Sequence, residues 1–257
     1  MKFFVKHNSV VRTIWGKSDT VLLIFAGASA EFALNKAVDW LYFTGRLPSD
    51  PIGRLFSTVA YARSIVFSDQ LSALRTIDSM AHIHSKVEEK RGEKIPQWAF
   101  RDVLYMLIDY SIRSFEVLER RLTQSEKQEV FGTFYQVGSR MGIHDLPDTF
   151  QQWQKSRIQH ISSNLQRSHY TDHLFGQYRK ELGAVRYRIL LEAQILVMHQ
   201  NIHELLGFRK ISHLAPFIPL YKLFRLVKAD RLLKALLLPG KYKSQINALD
   251  KPVPPMV

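Results

Sequence analysis

The chain has 257 residues, 46% of them hydrophobic and 23% charged, enough apolar material for one sizeable folded core. It contains no cysteine, which excludes disulfides, thiolate catalysis, iron–sulfur clusters and a cysteine-ligated haem. The formal net charge of +13 directs attention to anionic partners, yet no nucleic-acid motif accompanies it, and no nucleic acid is expected.

The first nineteen residues, MKFFVKHNSVVRTIWGKSD, carry lysines beside an apolar patch that Lys6, His7, Asn8 and Arg12 interrupt. No small-residue cleavage site follows, so they read as an N-terminal arm and not a signal peptide. From Thr20 to Tyr42 the pattern predicts one helix, apolar at Leu23, Phe25, Ala26, Ala30, Ala33, Leu34, Ala37 and Leu41. Its small residues, Ala26 to Ala30, would admit another helix or a flat ligand. Glu31, Asn35 and Asp39 are spaced by four and form one polar ridge, either a solvated face or the polar wall of a buried pocket. The apolar run is too short and too polar to span a bilayer, which needs about 20 apolar residues. A cytoplasmic protein, with or without a peripheral hold on a membrane, is the expectation.

Asp50-Pro51 is a helix start, with Asp to cap the first free amides and Pro suited to the first helical position. Arg54 and Thr58 follow on one face. After a break at Ser68-Asp69, a second helix carries His82 and His84, which point about 200° apart. His84 shares its stripe with Ile77, Met80 and Val87, so it faces inward; His82 faces water. A histidine on an apolar stripe is either a hydrogen-bonded core residue or a metal or haem ligand. Met80, one turn earlier, joins the candidates for cofactor contact.

Pro96 opens another long helix, and Thr123 with Glu126, then Thr149 with Gln152, are capping patterns for the next two. Helical periodicity continues over Asp172–Gly183 and Ala184–Leu206, with Gly207 as a stop. No strand alternation, hairpin turn or fixed repeat occurs. The prediction is an all-α, single-domain bundle of about eight to ten helices over residues 20–207. His169 with His173, and His199 with His203, have metal-compatible spacing, but no acidic residue completes a metal motif, and phosphate-loop and hydrolase-elbow motifs are absent. Residues 208–240 read as amphipathic, basic helices. Over 214–238 apolar residues are interspersed with Lys222, Arg225, Lys228, Arg231 and Lys234, an interfacial element for an anionic membrane surface or a helix pair docked on the core. Residues 241–257, with three prolines near the end, read as a disordered tail.

Two stretches carry a resemblance. One is Asp50-Pro51-Ile-Gly-Arg54-Leu-Phe-Ser-Thr58, with His84-Ser-Lys-Val87 thirty residues after Arg54. The other begins at Leu122-Thr123 and includes Gly142-Ile143-His-Asp-Leu146-Pro147-Asp-Thr149. In this order and separation they resemble the MpaB/rubber oxygenase family, which includes the latex-clearing proteins, over roughly Val21 to Leu206. The resemblance implies an all-α fold enclosing haem b, with His84 as the iron ligand and Arg54 and Thr58 near the haem. The implied activity is dioxygen-dependent cleavage of carbon–carbon double bonds in an isoprenoid- or lipid-like substrate. The alternative is a haem-free protein that binds a lipid, a membrane surface or a partner. Leu34-Asn35 and Thr44-Gly45 stand where many members carry His-Pro and His-Ser, Ser57 where the latex-clearing proteins carry lysine, and Glu88 where a glycine is usual. The groups facing the substrate therefore differ from those of the rubber enzymes. Glu31, Asn35 and Asp39 are the candidates to replace them, Asp39 foremost.

Overall fold

A computed structural model describes residues 2–45, 49–226 and 240–249. Among these residues the fold is all-α, with two isolated β-bridges and no strand. The helices are α1 (Val10–Trp15), α2 (Ser18–Leu34), α3 (Val38–Phe43), α4 (Pro51–Phe67), α5 (Gln70–Arg91), α6 (Gln97–Leu118), α7 (Gln124–Arg140), α8 (Phe150–Asn164), α9 (His169–Val197), α10 (Gln200–Leu206), α11 (Ile218–Leu226) and α12 (Lys243–Leu249).

Helix α2 is the axis of the bundle. Fourteen of its 17 residues are buried, as expected of a helix that is apolar on nearly every side. It packs chiefly between α6 and α9. Gly27 permits this approach: a methyl group there would sit 2.4 Å from the Tyr110 ring and 2.8 Å from Val197. The small residues of α2 thus serve helix packing at this point.

The helix predicted over 20–42 is two helices, because Asn35 ends the first. Its side-chain oxygen accepts from the Ala37 amide at 2.9 Å, a local bond that competes with helix continuation. Its backbone pairs with the strand-like exit of α8, where Lys36 donates to Asn164 and Gln166 to Leu34. The expected ridge is therefore broken, and Asp39 belongs to a different helix from Glu31.

Other start and stop signals hold. Asp50 accepts from Gly53 N at 3.1 Å, and both capping boxes, Thr123 with Glu126 and Thr149 with Gln152, are formed. Gly207 closes α10 in the left-handed region. Gly183 (φ 72°) puts a kink in α9, which only glycine adopts without strain.

The first and last described segments are tied in. Phe3 bridges Asp69 at the α4–α5 turn, and Trp15 is fully buried. Residues 241–249, expected to be disordered, instead complete a short turn and form α12, burying Tyr242 and Leu249. Tyr242 Oη lies 2.5 Å from Asp50 and 2.6 Å from Glu181, and Arg63 donates to the Leu249 carbonyl. These partners, Asp50, Arg63 and Glu181, lie far back in the sequence, so tail composition alone concealed them. Residues 250–257, like 227–239, lie outside the described residues.

Candidate functional site

The two histidines of α5 separate as their spacing requires: His82 is exposed and His84 half-buried. The His84 ring meets Phe100 of α6 edge-on at 5.2 Å. Its Nδ1 is buried without a hydrogen-bond partner, an uncommon state for a buried nitrogen. Burial and the nearby Arg54 guanidinium hold the imidazole below the ordinary histidine value, while Glu88 acts in the opposite direction. The Met80 backbone, one turn back, also favours the charged ring, without forming a hydrogen bond of proper geometry. At neutral pH His84 is therefore an uncharged imidazole, the form that ligates a metal.

Arg54 reaches His84 because α4 and α5 form an antiparallel hairpin. On α4, Arg54, Thr58 and Ile65 share one face by the 100° step per residue. Ile65 packs against Ala73 and Ile77 of α5. Thr58 is half-buried, its hydroxyl directed at the Arg54 carbonyl at 3.4 Å. Asp39 is brought to the same region by Arg91, two turns beyond His84 on α5, through a 2.8 Å ion pair. Arg91 also lies 4.0 Å over the Trp40 ring. Arg54 and Met80 thus lie beside His84, Thr58 follows Arg54 on the same face of α4, and Asp39 pairs with α5 two turns beyond His84.

Glu31 and Asn35 lie apart from His84. Both are buried, which removes the solvated-face reading, but they face the core. Arg157 of α8 grips the Glu31 carboxylate with two 2.5 Å bonds, and Tyr110 Oη donates to it at 2.8 Å. The same Arg157 donates to Asp109 at 2.9 Å, which also meets Arg113 at 2.9 Å and His199 Nε2 at 2.6 Å. Because Arg113 has only donors, His199 Nδ1 must accept from it, and Nε2 then carries the proton given to Asp109. Asn35 donates to Asp102 at 2.8 Å, beside His160 and Asn164, which bind the same carboxylate. Sequence reasoning missed these partners. The available signal was a charge set inside an apolar stripe: Arg157 follows Phe150 and Trp153 and precedes Ile161 on one helix face.

The spaced histidine pairs do not converge. His173 meets Tyr42, His199 meets Asp109, and His203 meets the Arg209 carbonyl. No group of three or more His, Cys, Asp or Glu that could hold a metal ion occurs among the described residues. That criterion does not bear on a haem, whose iron needs one protein imidazole.

Two apolar cavities lie away from His84. One, of about 450 Å³, opens between α2, α9 and residues 214–224; a smaller one, of about 70 Å³, is lined partly by Ile52, Leu55, Phe56 and Val59 of α4. These four residues point away from the Arg54 face. His84, half-buried, lines neither cavity, and an enclosed haem pocket of the kind expected around it is not shown among the described residues.

The fold is an all-α domain in which His84 is a half-buried, uncharged imidazole with Arg54 nearby. Residues 15–229 match the family described as ER-bound oxygenase mpaB/B′/rubber oxygenase, catalytic domain, and the chain belongs to that family. No curated protein and no solved structure matches it. The family is one of oxygenases, which makes this chain an oxygenase-type enzyme domain.

Proposed function

We propose that this chain is a haem b-dependent oxygenase that uses dioxygen to cleave carbon–carbon double bonds in a hydrophobic, isoprenoid- or lipid-like substrate. Membership of the oxygenase family is the observation that carries the reading. The donor chemistry at His84 supports a haem. His84 offers a neutral imidazole whose buried Nδ1 is unpartnered, and the chain has no thiolate to compete as ligand. In this reading His84 holds the iron, and Arg54, Thr58 and Met80 border the macrocycle. When bound, the haem supplies the redox centre at which dioxygen reacts.

The chain's own part is placement and proton control. Arg54 keeps positive charge beside His84 and favours the neutral ring. Asp39, half-exposed and anchored by Arg91, remains the one member of the expected polar ridge on the α5 side, and this reading gives it the role of polar group toward the substrate. Glu31 and Asn35 leave the candidate list because core partners occupy their side chains.

A second reading, a haem-free protein that binds a lipid or a partner, is favoured by one observation: the 450 Å³ cavity is lined by none of the residues proposed around the haem. An absorption titration separates the two. Haem added to the purified full chain should give a Soret band saturating at one equivalent. His84→Ala should abolish it, while His82→Ala should leave it intact. A chain that never develops the band, or develops it equally in His84→Ala, rejects the haem assignment.

A further inference from the structure

The helix after the cavity is built inside out. On α11, the polar side chains turn toward the bundle. Arg225 pairs with Asp19 at 3.1 Å and Glu119 at 2.6 Å, Tyr221 donates to Asp19 at 2.9 Å, and Lys222 donates to the Glu119 carbonyl at 3.0 Å. Ile218 packs against the core, but four other large apolar side chains of α11 and the turn before it lie outward: Phe217 is 60% exposed, Leu220 47%, Leu223 57% and Phe224 41%. The expected orientation, with basic residues outward at head groups, is reversed here for Lys222 and Arg225.

Soluble surfaces scatter large apolar residues singly, so four within eight positions need a partner. Their place adds a second observation. Phe217, Leu220 and Phe224 also line the 450 Å³ cavity, so the exposed face is the cavity's rim. The ion pairs to Asp19 and Glu119 fix this rim on α2 and the end of α6, so the apolar side chains cannot turn inward without breaking them.

We propose that Phe217, Leu220, Leu223 and Phe224 form a docking surface that inserts into an anionic lipid bilayer and sets the mouth of the cavity against the acyl chains. Charge favours this occupant over a second copy of the chain. Each copy carries a formal +13, which opposes self-association and attracts anionic lipid. Four side chains also fall well short of the roughly 800 Å² per partner of a stable dimer. Insertion uses apolar burial, and the net charge supplies long-range attraction. The inference does not depend on whether His84 carries a haem.

The test is flotation of the full chain with vesicles of phosphatidylcholine alone and with phosphatidylserine added. Binding should require phosphatidylserine and weaken as salt rises. Phe217→Asp with Leu223→Asp should lower the partition coefficient by about tenfold or more, since each buried large side chain is worth at least that factor. Thermal unfolding should stay close to wild type because both positions are exposed. Failure to bind either vesicle would overturn the proposal, as would binding that the double substitution leaves unchanged. So would a concentration-dependent dimer that the double substitution dissolves. The Soret titration is scored separately and is indifferent to these variants, so the two proposals fail independently.

Discussion

Arg157→Met should destabilise the fold by about 3–5 kcal/mol, measured as a fall in the urea midpoint at constant m-value. The side chain is 3% exposed and bridges Glu31 on α2 to Asp109 on α6. Its removal strands two buried carboxylates, and the cost is their desolvation more than any lost attraction. Measured against a total stability of about 5–15 kcal/mol, this is the largest single loss the structure predicts. Adding Glu31→Gln and Asp109→Asn to the Met variant should recover a substantial part, because neutral amides cost less to bury than unpaired charges. A loss below about 1 kcal/mol would mean that water replaces the guanidinium and that the network is not sealed.

The pH dependence has a definite sign. Burial pushes the Asp109 carboxyl up, but Arg157, His199 and Arg113 together outweigh it and hold the carboxyl far below the usual carboxylate range. A depressed carboxyl contributes stability that is complete above its unfolded value and is lost as pH falls through its folded value. Without Arg157 the largest opposing influence is gone, the carboxyl rises, and protonation relieves the stranded charge. The gap between wild type and Arg157→Met should therefore be widest near neutrality and narrow as pH falls toward about 4.

What the sequence disclosed follows from the range of the interactions involved. The His82–His84 division was legible because it depends only on the angular step of a helix. The caps at Asp50, Thr123 and Thr149 were legible because each partner lies three residues away. Long-range pairing was not. Asn35 is held in the core by Asp102, and Lys222 and Arg225 turn inward because Asp19 and Glu119, more than a hundred residues earlier, accept them. A periodic basic pattern gives no sign of which face its acceptors occupy. The Arg54–His84 relation depended on a family spacing, and the hairpin of α4 and α5 supplies its physical cause. The separation of the 450 Å³ cavity from His84 had no sequence signature, because it depends on how α2, α9 and residues 214–224 pack together.

Gly27→Ala tests how the bundle axis was assembled, since two effects of opposite sign compete there. In an ordinary helix interior the substitution stabilises by up to about 1 kcal/mol, because alanine loses less backbone entropy. Here the new Cβ would stand 2.4 Å from Cδ1 and Cε1 of Tyr110 and 2.8 Å from a Val197 methyl, all too close to remain. Tyr110 is fully buried and hydrogen-bonded to Glu31, so its ring cannot swing aside without breaking that bond. Overpacking of this kind costs about 1–3 kcal/mol, enough to reverse the helical gain. The expected result is a net loss of about 1–2 kcal/mol in chemical unfolding, obtained by setting the gain against the clash. Tyr110→Leu identifies the cause. If the ring is the obstacle, Gly27→Ala should cost much less in that background, and the double-mutant cycle should show coupling of about 1 kcal/mol or more. An additive cycle would instead assign the clash to Val197 and place the tight approach between α2 and α9.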